Sequence, residues 1–288
     1  MNSRNEERLD PALYIVGTPI GNLEDITLRA LRVLRNVDRI ACEDTRQTQK
    51  LLNHYEIHTP TVSYHEHNEM TRAPELIVHL EDGESIALVT DAGMPAISDP
   101  GYRLITLAIR HHLKVVPVPG ASAFLSALVA SGFPGDSFKF SGFLPAKSGQ
   151  RRKLLEEMQH APRTLIFYEA PHRIIETLKD IVDVMGPTRH VVIAREVTKL
   201  HEEFLRGHVE DVLRIAEERG ELKGEITLLI AKADENEPEA PKKESVSQLV
   251  ERYMRDESLD EKDALKRVAR EMGVSKSEAY RELQRTKK

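Results

Sequence analysis

The chain of 288 residues carries one cysteine, Cys42. That excludes an internal disulfide framework and a cysteine-built zinc site, and no metal is expected. No stretch approaches the roughly 18 uninterrupted apolar residues of a membrane span, and the N-terminus, MNSRNEERLDPALY, lacks the apolar region of a signal peptide. A cytoplasmic protein with no membrane partner is expected. An overall positive charge is missing too: the net charge is −6. This argues against coating nucleic acid along the whole surface, so any RNA-binding face must be local. Residues 245–288 hold 11 Lys/Arg against 9 Asp/Glu, which leaves −8 on the remainder. Two nucleotide signatures are also absent. Without GxxxxGK[ST] a P-loop hydrolase is disfavoured, and without GxGxxG after the first strand so is a dinucleotide-binding Rossmann loop.

What is present is an ordinary soluble composition, 40% hydrophobic and 31% charged, long enough for two compact domains. Residues 1–131 alternate short apolar runs with helical patterns: LYIVG, RIACED, PTVSYH, ESIALVTD and KVVPVPG as strands, each followed by a helix. The alternation predicts an α/β domain with a mostly parallel sheet covered on both faces. SGFPGDS (131–137) is the joint to a second α/β unit, 132–233. Its strands are KFSGFLP, TLIFYEA, HVVIAREV, EEFLRG and EITLLIAKA. Residues 234–245 are polar, proline-containing and aperiodic, and read as a linker. Residues 246–288 hold three short helical patterns, a small helix-turn-helix-like module. Ala264, Val268, Ala269 and Met272 share one face there, Gly273 ends a helix and Ser275 caps the next. A helical tail packing on the body or on a partner explains that module as well as nucleic-acid binding does.

In an open α/β sheet, ligands bind where strand ends lead into helices. The least ordinary loops of this chain lie at those ends: VGTPIGNLED, ACEDTR, SYHEHN, VTDAGMPAISDPG and PVPGASA. Each alone has a structural explanation, since Gly93 and Gly101 suit turns and Ser122 suits a cap. Five together point to a site. In the fourth loop, Asp91 to Ile97 are assigned to the ligand, and Ser98 to Gly101 to starting the next helix. Small residues let a ligand approach the backbone, and few Lys or Arg stand nearby to hold phosphates. A ligand with an adenine, a ribose and an amino-acid portion suits this better than a triphosphate. Asp91 is placed to accept from ribose hydroxyls or an ammonium, with Met94 and Ile97 lining an adenine slot.

GTPIGNLEDITLRAL (17–31), ACEDTR (41–46), YHEHN (64–68), VTDAGMPAISDPG, VPGASA (118–123), SGFLP (141–145), EAPHR (169–173) and AREVTK (194–199) occur in that order. Over residues 12–233 this series resembles the 16S ribosomal RNA (cytidine-2′-O)-methyltransferases of the tetrapyrrole methylase superfamily. The resemblance implies a mostly parallel N-terminal sheet, a mixed C-terminal sheet, S-adenosylmethionine bound in the cleft between the two domains, and a homodimer. By motif, the cofactor residues would be Pro19, Asp91, Ala92, Gly93, Met94, Ile97, Ser122 and Ala123 on one side. Across the cleft they would be Tyr168, Glu169, Ala170, Pro171, Gly224, Glu225 and Ile226. Met94 departs from the family, where many members have Thr. It should reshape the pocket wall without removing a charged contact.

The implied reaction moves a methyl group from a sulfonium to the ribose 2′-hydroxyl of a cytidine in 16S rRNA, in the decoding region of the small ribosomal subunit. In-line attack makes positioning the main task. Because the sulfonium loses its charge, neutral strand-end carbonyls serve it better than a strongly anionic pocket. The hydroxyl is a poor nucleophile that gains from a base. Glu43, Asp44, His65, Glu169 and His172 are the candidates. Asp44 and His172 stand level in front, although Asp44 also suits a helix cap, and a reaction without a dedicated base stays open. Lys147, Arg151, Arg152 and Lys153, clustered in AKSGQRRK, are the expected RNA contacts, with Arg46 and Arg173 as further ones. Reversing charge at Arg151 and Arg152 should weaken RNA binding and spare the cofactor. The rival readings are a precorrin or uroporphyrinogen methyltransferase, against which ACEDTR, YHEHN and EAPHR argue, and a non-catalytic ribosome-binding module led by 245–288. The latter leaves the five loops unexplained.

Overall fold

The computed structural model describes residues 9–220, 222–233, 246–257, 259–272 and 276–286. The expected linker 234–245, Gly273 and Ser275 lie outside them. The chain divides into two compact units, Met1–Glu235 and Asn236–Lys288.

In the first unit, β1 (Leu13–Val16), β2 (Arg39–Cys42), β3 (Thr61–Ser63), β4 (Ile86–Leu88) and β5 (Val115–Val118) form one sheet. Its order is β3-β2-β4-β1-β5 and every pairing is parallel. Between the strands run α1 (Leu28–Asn36), α2 (Thr45–His54), α3 (Glu69–Glu81) and α4 (Tyr102–Arg110). Short uninterrupted apolar strands such as LYIV, all four residues buried, are what a sheet covered on both faces demands. Each face has its own core: Leu34, Ile40 and Leu52 on one side, Leu76, Ile86 and Leu104 on the other. Thr27 starts α1 by accepting from the Ala30 amide at 3.1 Å. Thr27→Ala should cost about 1 kcal/mol in a urea denaturation, the usual worth of such a cap.

β6 (Phe138–Phe143), β7 (Thr164–Glu169), β8 (His190–Arg195), β9 (Glu203–His208) and β10 (Ile226–Ile230) form a second sheet in the order β6-β7-β10-β8-β9. It is mixed: β6 and β7 run parallel, while β10 lies antiparallel between β7 and β8. One face is covered by α6 (Ser148–Met158), α7 (Ile174–Met185) and α8 (Val209–Arg219) over a core that includes Phe167, Leu178 and Leu228. The other face carries α5 (Ala123–Ser131), although in sequence α5 follows the last strand of the first sheet. Its Ala127 and Leu128 pack with Ile166, Val192 and Leu229 of the second sheet, and Ile20 from the loop after β1 joins the same cluster. α5 thereby ties the two sheets into one unit.

The other unit comprises α9 (Val246–Asp256), α10 (Glu261–Glu271) and α11 (Lys276–Thr286), with Leu249, Val250, Leu265, Val268 and Leu283 at its centre. Ala264, Val268 and Ala269 are buried as their spacing requires, whereas Met272 is 42% exposed and does not share that face.

Candidate active site

Parallel pairing brings the ends of β1, β4 and β5 to one edge of the first sheet. The mixed second sheet does the same by another route. Because β10 is antiparallel to β7 and β8, Ile226 at its start stands opposite Glu169 and Arg195 at their ends. Between these two edges is a cavity of about 620 Å³, in the range of small-molecule and cofactor sites.

Close backbone packing builds its first wall. Thr18 and Gly93 exchange backbone hydrogen bonds of 2.9 and 3.1 Å, and the Thr18 hydroxyl donates to the Thr90 carbonyl at 3.0 Å. Gly17 and Gly120 approach so closely that a Cβ on either would lie 2.7 Å from the other's Cα. The loop after β4 coils tightly, with Ala96 at φ +66° and Ser98 at φ +63°. Non-glycine residues held in left-handed conformations concentrate at functional sites. The opposite wall contains Glu196 at φ +52° beside Gly224 at φ +97°, where an added Cβ would lie 2.5 Å from the Glu196 side chain.

Thirteen of the residues expected at the cofactor line this cavity: Ala92, Gly93, Met94, Ile97, Ser122, Ala123, Tyr168, Glu169, Ala170, Pro171, Gly224, Glu225 and Ile226. Pro19 and Asp91 are not among its walls. Pro19 is buried, and Asp91 is exposed, where it accepts from the Asp44 amide at 3.2 Å. Burial, reinforced by the charges of Glu43 and Asp44, raises the Asp91 carboxyl against that hydrogen bond. The Glu169 side chain is fully buried and engaged. Its Oε1 accepts from the Ala170 amide and the Arg173 guanidinium, and Oε2 accepts from the Thr177 hydroxyl at 2.7 Å. It fixes the shape of the wall, with both oxygens engaged.

The sequence signal missed Ile20, Ser98, Asp99, Phe143, Ala194, Glu196, Val197, Lys199 and Thr227, which also line the cavity. SGFLP and AREVTK mark Phe143 and the Ala194–Lys199 segment as unusual without giving them a role. The assignment of Ser98–Gly101 to a helix start is corrected for Ser98 and Asp99, while Gly101 does cap α4. The left-handed Ser98 cannot begin a helix; α4 starts at Tyr102, after Gly101 at φ +144°, and Ser98 and Asp99 face the cavity. Asp99 is pushed up to about 6, by burial first and then by the Glu43 and Asp91 charges. Tyr168 is pushed up to about 12, by burial and then by Asp99. Lys199 holds Glu196 at 2.9 Å and Glu225 at 3.2 Å. Burial opposes its charge, but these carboxylates keep its ammonium above the ordinary value.

The two leading bases fare poorly. Asp44 caps α2: its Oδ1 accepts from the Arg46 amide at 2.8 Å, and the Arg46 guanidinium lies 2.7 Å from Oδ2. Those bonds hold the carboxyl at about 2, too acidic to take a hydroxyl proton. His172 is exposed on the 3₁₀ turn Pro171–Arg173 and is not among the cavity walls. Glu43 accepts the Thr90 hydroxyl at 2.9 Å, and the His65 ring lies beside Asn68 at 3.3 Å; neither lines the cavity.

The basic cluster also divides. Arg151 is fully buried: Nε donates to Asp180 at 2.7 Å, and Nη1 donates to the Pro145 and Ala146 carbonyls, both at 3.3 Å. An RNA phosphate cannot reach it, and the expectation that reversing its charge would act on RNA alone is corrected. Arg152 is committed to Asp183 at 2.5 Å and Asp180 at 3.3 Å, and Arg173 to Glu169. Lys147 and Lys153 are exposed, and so is Arg46, despite its Asp44 pair.

Two sheets meeting at a strand-edge cavity define a class. Residues 12–213 match the model of the tetrapyrrole (corrin/porphyrin) methylases, and the chain belongs to that family. Within it the chain groups with the proteins named ribosomal RNA small subunit methyltransferase I. The one from Halalkalibacterium halodurans is 52% identical over 93% of both chains, and that from Escherichia coli O157:H7 is 48% identical over 80% of both. Among solved structures, a diphthine synthase superposes with TM-score 0.61 at 15% identity, covering 77% of this chain and 90% of that one. A Thermus thermophilus uroporphyrin-III C-methyl transferase complexed with S-adenyl homocysteine superposes with TM-score 0.54 at 18% identity, covering 76% and 97%. These two are alike in fold. Among the described residues no helix is long and apolar enough to cross a membrane.

Proposed function

We propose that this chain is an S-adenosylmethionine-dependent methyltransferase of 16S ribosomal RNA, acting on the 2′-hydroxyl of a cytidine ribose in the decoding region of the small ribosomal subunit. The observation that carries the reading is the cavity itself, in a chain whose relatives are named for small-subunit RNA methylation. The walls fit the cofactor. Gly93 would leave room for its backbone-hugging portion, and an added Cβ there meets nothing nearer than Ile20 at 3.5 Å. Met94, Ile97, Ala123 and Ala170 offer apolar surface to an adenine. Bound there, S-adenosylmethionine supplies an electrophilic methyl group; the protein orients it and excludes water. The assembled subunit is the substrate and a cytoplasmic homodimer the working form, as the sequence resemblance implies.

Radiolabelled methyl transfer to unmethylated small subunits, naked 16S rRNA and a uroporphyrinogen tests the reading. Label should appear in the subunits as 2′-O-methylcytidine and not in the tetrapyrrole. Transfer to the tetrapyrrole alone, or to no ribosomal substrate, would overturn it. Phosphate contact is now assigned to the exposed lysines. The double variant Lys147→Glu, Lys153→Glu should raise KM for subunits roughly tenfold at low salt, through lost counterion release. Calorimetry should find S-adenosylhomocysteine affinity unchanged in that variant.

A further inference from the structure

Among the carboxylates lining the cavity, Asp99 is the one that no cation holds, although the Thr90 hydroxyl bonds to it. Glu169 is locked to Arg173 and Thr177, and Glu196 and Glu225 to Lys199. Asp99 makes no ion pair among the described residues. It borders the cavity and also a shallower depression beside it. Its position is set by an unusual stretch of backbone: Ala96 and Ser98 are left-handed, and the Ala96 amide closes the turn on the Pro100 carbonyl at 3.2 Å. Gly101 admits this turn because an added Cβ would lie 3.1 Å from the Ala96 nitrogen and 3.2 Å from Leu88. The Ser98 hydroxyl would be 3.3 Å from a Cβ on Gly142, so the loop reaches the strand of the opposite sheet that carries Phe143. Strain at such residues persists where their surroundings over-determine it. Here it delivers one carboxylate to the seam between the two walls.

We propose that Asp99 is the general base of methyl transfer, resting on the reading of function above. Its carboxylate accepts the 2′-hydroxyl proton as the ribose oxygen forms its bond to the methyl carbon. The carbon–sulfur bond breaks and its electron pair stays on sulfur, which becomes a neutral thioether. The carboxylic acid so formed loses its proton to water before the next turnover. No further reactant is required.

The surroundings suit the task. Glu43 at the end of β2 and Asp91 after β4 repel a negative charge on Asp99, and burial adds to them; the Thr90 hydroxyl opposes them. Across the cavity stands Tyr168, whose hydroxyl remains protonated near neutrality. In the neighbouring depression lie Glu69, Arg103 and Arg110. A base half-deprotonated near pH 6 is fully charged at pH 7.5, yet holds a proton far better than the Asp44 carboxylate does.

Asp99→Asn tests the assignment, with Asp99→Glu as the conservative partner. Three readouts are needed: turnover on small subunits, S-adenosylhomocysteine affinity by calorimetry, and carboxyl titration of the cofactor-free protein by NMR with labelled aspartate. Turnover of Asp99→Asn should fall by about 10²–10⁴-fold, with affinity within threefold of the parent and partial recovery in Asp99→Glu. The parent's rate should decline with unit slope as pH drops through about 6, a limb missing from the variant's residual rate. One aspartate signal titrating near 6 should vanish with the substitution. Turnover within threefold of the parent overturns the proposal, and so does an affinity loss that parallels the loss of rate. Failure of the parent itself on every ribosomal substrate would instead overturn the functional reading, and the base assignment with it.

Discussion

Asp180→Ala should lower unfolding free energy by about 3–5 kcal/mol, because it strands a fully buried guanidinium. Arg151 donates to the Asp180 carboxylate through Nε at 2.7 Å, and its Nη2 lies at the same distance as an ion-pair contact. The next nearest acid, Glu176, is 4.0 Å away with a side chain 73% exposed, a poor replacement in high-dielectric surroundings. Asp180 also receives the Ser148 hydroxyl at 2.9 Å and Arg152 at 3.3 Å, so one carboxylate fastens α6 to α7. Urea denaturation gives the loss directly. Replacing both partners, Arg151→Met with Asp180→Leu, should recover most of it, since apolar pairs of similar volume often match a buried ion pair. A single variant within 1 kcal/mol of the parent would mean that water reaches Arg151. The consequence extends to the site. Arg151 also holds the carbonyls of Pro145 and Ala146, and two residues earlier Phe143 lines the cavity.

This arginine marks the limit of what the sequence discloses. In AKSGQRRK four cations stand together, and composition cannot separate the one turned inward from those turned outward. The helical phase is informative: Arg151, Leu155 and Met158 fall on one face and all are buried. The acid that makes burial tolerable lies 29 positions away on another helix. The order of strands and helices was legible because apolar runs and 3.6-residue patterns alternate without overlap. Most of the cavity wall was legible because small residues cluster at strand ends. α5 was misjudged as part of the first layer because chain order ties it to β5, while its apolar face meets Ile166 and Leu229. Asp99 was hidden by a strong local signal. Ser-Asp-Pro-Gly ahead of an apolar helical run reads as a helix start, and only the positive φ of Ser98 turns the acid toward the cavity.

Gly120→Ala should cost about tenfold or more in S-adenosylhomocysteine affinity and about 1–3 kcal/mol in stability. A Cβ at this position would lie 2.7 Å from the Gly17 Cα, 2.8 Å from its carbonyl carbon and 2.9 Å from its oxygen. All three are backbone atoms, so no rotamer relieves the overlap and one strand end must move. Moving the β5 end displaces Ser122 and Ala123. Moving the β1 end pulls on Thr18, whose two backbone hydrogen bonds position Gly93, and on Met94, whose sulfur already lies 2.7 Å from where a Gly17 Cβ would sit. Either adjustment reshapes the cavity, and a shift near 1 Å is enough to disturb a bound cofactor. Gly149→Ala is the control: nothing lies within 4 Å of its added Cβ, and its place in α6 should make the change neutral or slightly stabilising. Calorimetry and urea denaturation on both variants separate the effects. If Gly120→Ala bound within twofold of the parent, the strand ends would be pliant. The left-handed turn that carries Asp99 lies in the same loop as Gly93, and its hold on the carboxylate would be loosened with it. The two substitutions therefore bear on one property, the rigidity with which backbone packing sets the cavity wall.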